Sequence, residues 1–130
     1  MNGADALAAG DLNHDGKPDV AVANPMLACA TLFMGLGDGT LGPPKNYLGG
    51  DGTDIRIADV TGDGIPDLLS TGFNMRVLVG NGNGTFQSAQ KYSHTGAPAA
   101  LADFNLDGGI DLVTPIANSA VTIILHAPGT

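Results

Sequence analysis

Short apolar runs alternate along this chain with stretches rich in glycine, aspartate, asparagine and proline, and the apolar runs fall into a repeating order. The runs at 30–34, 75–79 and 120–125 are largely apolar on both parities, the last two rich in Leu, Val and Ile. Continuous apolarity over so few residues predicts a strand covered on both faces, as when sheets stack on sheets. Each is preceded by two others. An alanine-rich strand is expected at 6–9, 55–58 and 99–102, where small side chains suit a crowded position. A second strand is expected at 19–23, 67–71 and 111–114. A fourth, more polar strand at 45–48 and 87–93 reads as a solvated edge, and no fourth strand follows the third apolar run. The pattern predicts an all-β chain of about eleven strands, in three units of which the last has its outer edge unfilled.

The stretches between the runs repeat as well. Asp11-Leu-Asn-His-Asp-Gly-Lys-Pro-Asp19 returns as Asp59-Val-Thr-Gly-Asp-Gly-Ile-Pro-Asp67 and as Asp103-Phe-Asn-Leu-Asp-Gly-Gly-Ile-Asp111. Their starts lie 48 and then 44 residues apart, within the range of propeller blades and similar repeat units. Gly35-Leu-Gly-Asp-Gly-Thr-Leu41 recurs 45 residues later as Gly80-Asn-Gly-Asn-Gly-Thr-Phe86, and Tyr47 recurs at Tyr92. Glycine, asparagine and aspartate readily reach positive backbone dihedrals, so this second motif reads as a tight turn. One domain of repeats follows, the first over about 4–50, the second over about 51–96 and a truncated third over about 97–130.

The nine-residue motif carries the chemistry. Acidic residues stand at positions 1, 5 and 9, an oxygen-bearing side chain at 3 and glycine at 6. Calcium takes six to eight oxygen ligands in flexible geometry and suits short loops that turn several oxygens toward one point. Expected ligands are Asp11, Asn13, Asp15, the Lys17 carbonyl and Asp19 in loop 1. In loop 2 they are Asp59, Thr61, Asp63, the Ile65 carbonyl and Asp67. In loop 3 they are Asp103, Asn105, Asp107, the Gly109 carbonyl and Asp111. Thr61 is a neutral, weaker ligand, so loop 2 is expected to bind most weakly. Magnesium demands stricter octahedral geometry and fits less well. An EF-hand would need glutamate at position 12 and flanking helices; position 12 here is Val22, Ser70 or Thr114. The alternative is that the aspartates only cap turns, but three carboxylates in nine residues repel one another without a cation.

In its order of alanine-rich strand, aspartate loop, apolar strand and Gly-[Asp/Asn]-Gly-Thr-[Leu/Phe] turn, the chain resembles the FG-GAP and VCBS repeats along essentially its whole length. Those repeats build the calcium-bearing β-propellers of integrin alpha subunits, some fungal and bacterial lectins and many secreted bacterial proteins. The resemblance implies blades of four antiparallel strands, with a calcium loop joining the first and second strands of each, and about three structural Ca2+ ions. Propellers close with about four to eight blades, so three blades imply completion from outside. Self-association is expected, as a homodimer making a six-bladed ring or as another homo-oligomer, unless the chain is a fragment of a longer propeller. The expected function is binding or adhesion to a carbohydrate or protein ligand. A purely structural, self-assembling repeat is the alternative, and a hydrolase or lyase on a propeller scaffold a third.

Composition narrows this further. All 13 acidic residues are aspartate, nine of them in the three loops, and three bound divalent cations would bring the net charge from −8 to −2. The five Lys and Arg residues are scattered, which offers no basic stripe for nucleic acid. No apolar run approaches the roughly 20 residues of a membrane span. Residues 1–5 do not have the charged and apolar regions of a signal peptide. Millimolar extracellular calcium suits loops without a bidentate glutamate, so a secreted or extracellular location is expected. The single cysteine, Cys29, sits in an apolar run and reads as a small core residue. No catalytic residue and no organic cofactor are expected: His14, His94 and His126 accompany no nucleophile motif. The glycine turn leads into a polar strand and not a helix, which removes a phosphate-cradle reading. Asn83-Gly-Thr85 matches a glycosylation sequon by chance in a tight turn, and Tyr47 and Tyr92 read as edge-strand packing rather than sugar stacking.

Overall fold

The computed structural model describes residues 6–50, 52–72, 74–92, 100–116 and 120–124. Strands β1 (Ala6–Gly10), β2 (Asp19–Asn24), β3 (Cys29–Phe33) and β4 (Lys45–Leu48) form one antiparallel sheet in chain order. Strands β5 (Asp54–Ala58), β6 (Asp67–Thr71), β7 (Met75–Leu78) and β8 (Gln90–Tyr92) form a second in the same way. In the third, β10 (Asp111–Ile116) lies between β9 (Ala100–Ala102) and β11 (Ala120–Ile124). One short 3-10 turn, Pro25–Leu27, links β2 to β3; Asn24 caps it by accepting from the Leu27 amide, and Pro25 needs no amide partner at its start.

Register explains where the aspartate motifs lie. Gly10 pairs with Asp19, Ala58 with Asp67 and Ala102 with Asp111. The ninth residue of each motif therefore pairs back with the residue just before the first. Each motif is a hairpin loop closed at its base by the β1–β2, β5–β6 or β9–β10 ladder.

Alternation along the strands assigns the faces. Ala21, Ala23, Ala30 and Leu32 of the first sheet form one buried cluster with Ile55, Leu68, Leu78 and Phe86 of the second unit. Alanine on one side of this seam leaves room for the larger side chains on the other. Leu69, Met75 and Val77, on the opposite face of the second sheet, cluster with Leu112. Every residue of β6 is buried because it has a sheet on each side, Leu68 toward the first and Leu69 toward the third. Burying one such leucine contributes about 2 kcal/mol. By contrast β4 is largely exposed, the solvated edge that its polar sequence predicts. Two sheet faces keep apolar side chains in solvent. Leu7 and Leu48 are 70% and 79% exposed on the first sheet, and Val121 and Ile123 62% and 46% on the third.

Candidate metal centres and an inter-sheet groove

The three loops share one hydrogen-bond plan. At position 1, Asp11 accepts from the amides of Asp15 (3.2 Å) and Gly16 (2.8 Å). Asp59 accepts from Gly62, Asp63 and Gly64 (2.7, 3.2 and 2.7 Å), and Asp103 from Asp107 and Gly108 (3.1 and 2.8 Å). These amides, Gly16 first, hold the Asp11 carboxyl below the usual carboxylate range. At position 5, Asp15, Asp63 and Asp107 each accept from the amide two residues on, at 2.8–2.9 Å. At position 3, Asn13 and Asn105 accept from the Asp15 and Asp107 amides while their own side-chain NH2 donates to the same aspartates. Thr61 lies at the same position, with its hydroxyl 3.4 Å from Asp59.

Such a loop bends sharply, and its backbone shows how. Position 6 is glycine at φ 81, 83 and 91° (Gly16, Gly64, Gly108), a left-handed conformation open to glycine at little cost. Position 4 is left-handed too, and there the residues are His14 (φ 60°), Gly62 (75°) and Leu106 (61°). The His14 side chain is exposed.

Position 9 behaves differently from the rest. Asp19, Asp67 and Asp111 are fully buried. Asp19 accepts from the Leu12 amide (2.8 Å) and, from beyond its own loop, the Gly35 amide (2.7 Å). Asp67 accepts from Val60 and Thr61 (3.0 and 3.1 Å) and from Gly80 (2.8 Å). Asp111 accepts from Phe104 (2.8 Å). Burial pushes the Asp67 carboxyl above its ordinary pKa, opposed by the Gly80, Val60 and Thr61 amides. The partner glycines are forced by space, since a Cβ at Gly35 or Gly80 would lie 2.0 or 2.1 Å from the Pro18 or Pro66 carbonyl oxygen.

Of the residues expected to hold a cation, the structure thus brings positions 1, 3 and 5 together at each loop mouth and sets position 9 beneath, on backbone amides. No group of three or more carboxylate, imidazole or thiol side chains converges on one point among the described residues. An all-oxygen donor set is nonetheless what each mouth offers. Its two carboxylates meet no lysine or arginine among the described residues, and an oxygen that accepts one amide keeps a further lone pair. The donor chemistry fits a hard cation such as calcium.

A second feature lies between the first two units. Asn46 and Tyr47 of β4, Arg76 of β7 and Phe86, Gln87 and Ser88 line a groove of ≈ 410 Å³, within the size range of small-ligand sites. Tyr47 stands edge-on to Phe86, ring centres 5.5 Å apart at 79°, with the Lys45 ammonium 5.2 Å from its ring centre. These contacts make Tyr47 a packing residue of the groove floor. The groove draws on separate strands of two units and no motif announces it in the sequence.

The model of the FG-GAP-like repeat matches residues 11–70 and again 59–114. The chain belongs to the FG-GAP-like repeat family. Both matched stretches of this FG-GAP-like chain begin at the first aspartate of a loop, and they overlap in the second. Among solved structures, one similar to it is a lectin of Agrocybe aegerita whose structure is described as the basis of specific recognition of non-reducing terminal N-acetylglucosamine. The two superpose with a TM-score of 0.59 at 21% identity, over 92% of this chain and 38% of the lectin chain. The likeness is one of fold, and the FG-GAP-like chain spans well under half of that lectin. No curated protein matches it.

The remaining expected positions are placed as follows. Cys29 is buried, its Sγ 3.9 Å from the Thr31 hydroxyl. Asn83 accepts from the amide and hydroxyl of Thr85 inside its turn. The side chain of Tyr92, and His94 and His126, lie outside the described residues. No helix among the described residues is long and apolar enough to cross a membrane.

Proposed function

We propose that this FG-GAP-like chain is a calcium-stabilised, β-propeller-type binding module whose cations are structural. The observation that carries the reading is the loop mouth: one half-buried and one exposed carboxylate per loop, oriented by backbone amides and unmatched by any basic side chain among the described residues. Asp11, Asn13 and Asp15 would hold the cation in loop 1, Asp59, Thr61 and Asp63 in loop 2, and Asp103, Asn105 and Asp107 in loop 3. The carbonyls of Lys17, Ile65 and Gly109 complete these sets, and Asp19, Asp67 and Asp111 anchor the loops from below. Bound calcium neutralises the mouth carboxylates and pins each hairpin shut.

The ligand surface is the groove between the first two units. A guanidinium, two side-chain amides and a hydroxyl beside an aromatic floor suit a polyhydroxylated ring, so carbohydrate is the ligand class we assign, ahead of protein. No residue is given a catalytic role. An extracellular setting supplies calcium at the concentration such loops need.

Thermal melts with and without a chelator test the calcium reading; a melting temperature that calcium and chelator leave unmoved sinks it. A glycan array on the calcium-loaded chain, with Arg76→Ala and Gln87→Ala as controls, tests the groove. If no glycan is retained, the carbohydrate assignment fails.

Exposed Leu7, Leu48, Val121 and Ile123 favour a second reading, in which the end faces self-associate. A homodimer of two three-unit chains, completing a six-bladed ring, is the simplest such assembly. Light scattering decides: a monomer that stays monodisperse at high concentration removes it.

A further inference from the structure

Gly84, in the glycine turn of the second unit, is bonded to the first unit at both ends of its residue. Its amide donates to the Leu12 carbonyl of loop 1 (3.2 Å), and its own carbonyl accepts from the Tyr47 hydroxyl on β4 (3.4 Å). The seat is a close one. A Cβ there would lie 3.1 Å from Met34 Sδ and 3.4 Å from Asn13 Cβ, and Asn13 is the position-3 residue of loop 1. The Leu12 amide is in turn held by Asp19 (2.8 Å). A run of contacts therefore joins Asp19, Leu12, Gly84 and Tyr47, from the base of loop 1 to the floor of the groove.

Among the described residues, two internal comparisons set this contact beside positions where it is not made. The equivalent turn of the first unit has the same closure, Leu36 to Thr40 (3.0 Å) matching Asn81 to Thr85 (2.9 Å). Its Gly39 has a similar φ (+89° against +79°), yet nothing lies within 4 Å of the Cβ position. Loop position 2 shows the complement: Leu12, beneath the turn, is 1% exposed, whereas its counterpart Phe104 in the third loop is 48% exposed.

We infer that the second unit's glycine turn, seated through Gly84, is the positioning element of loop 1, so that cation binding at loop 1 and the seam between the first two units stabilise each other. The inference rests on the calcium reading above. A cation that orders Asn13 and Leu12 also orders the acceptor of the Gly84 amide. A turn lifted from its seat leaves loop 1 to be ordered at the cation's expense, and the linkage is reciprocal.

The test uses calcium itself, titrated calorimetrically into a chain in which Asp59→Asn, Asp63→Asn, Asp103→Asn and Asp107→Asn leave loop 1 as the reporting site. Gly84→Ala and Gly39→Ala place the same backbone strain on a seated and an unseated turn. The expected result is calcium binding weakened about 5-fold or more by Gly84→Ala, within the usual range of such coupling, and changed less than about 2-fold by Gly39→Ala. Equal effects of the two overturn the inference and leave the calcium reading intact. Absence of calcium binding by the unaltered chain overturns both.

Amide exchange on the unaltered chain guards against a variant that does not fold. Calcium should slow exchange at Gly84 relative to Asn81, whose amide is bonded within the turn. Equal slowing at both overturns the inference.

Discussion

The Asp19 carboxylate holds the Gly35 amide at 2.7 Å across sixteen residues, and the second unit repeats the bond between Asp67 and Gly80 at 2.8 Å. Loop and glycine turn are therefore one structure in each of these units, tied through a buried carboxylate. Removing that carboxylate strands two or more backbone amides. Asp19→Ala and Asp67→Ala should each cost about 3 kcal/mol, read as a fall in the urea midpoint in the presence of chelator. Excluding calcium separates this role from metal binding. A variant as stable as the parent under those conditions contradicts the anchoring role.

The other partner of the bond is equally constrained, by space and not by charge. Gly80→Ala drives a Cβ to 2.1 Å from the Pro66 carbonyl oxygen. Backbone on both sides must move, so a loss of about 3 kcal/mol is expected, again by urea unfolding. Gly39→Ala meets no neighbour within 4 Å, and should lose only what its positive φ demands, about 1 kcal/mol.

Leu106 points to a stabilising change. It sits at φ 61° with 87% of its surface exposed, paying for a left-handed conformation with little burial in return. Gly62 occupies the same position in loop 2. Leu106→Gly should raise stability by up to about 1 kcal/mol, visible as a higher melting temperature. A lower one would show that the leucine contributes contacts.

Asp38 provides a pH handle away from the loops. The Thr40 hydroxyl and amide both donate to it, and the hydroxyl chiefly holds its carboxyl below the usual aspartate range. A depressed carboxyl contributes stability that is present above the unfolded-state value and is lost as pH falls through the folded-state value. Thr40→Val should move the Asp38 midpoint up, toward the usual aspartate range, in an NMR titration. Asp38→Asn should remove this part of the acid sensitivity while keeping the turn, because Asn83 makes the same two bonds in the second unit. A midpoint that stays put in Thr40→Val assigns the depression elsewhere.

Much of the fold was legible in the chain because it is written locally. Strands follow from short apolar runs, and hairpin loops from Asp and Gly at fixed offsets. The expected strand at 45–48 is β4 to the residue, and the one at 67–71 is β6. The edge expected at 87–93 starts only at Gln90, since Gly80–Phe86 closes the turn with an isolated bridge and Gln87 bonds back to Val79; residue 93 lies outside the described residues. The mouth residues Asp11, Asn13 and Asp15 were legible for the same reason: a nine-residue spacing dictates which side chains share a concave side.

Position 9 was not. By spacing, Asp19 is one more oxygen among five; in the fold it lies at the start of β2, where its side chain is buried and reaches a turn sixteen residues on. The sequence by itself determined the repeat, the strands and the oxygen-lined loops, all set by backbone preferences within a few residues. Tertiary structure alone decided that Asp19 and Asp67 anchor a turn, that Gly84 seats on loop 1, and that Tyr47 and Arg76 line one groove. Those depend on how one sheet lies against the next, and that arrangement is settled by side-chain volumes from distant strands filling a common seam.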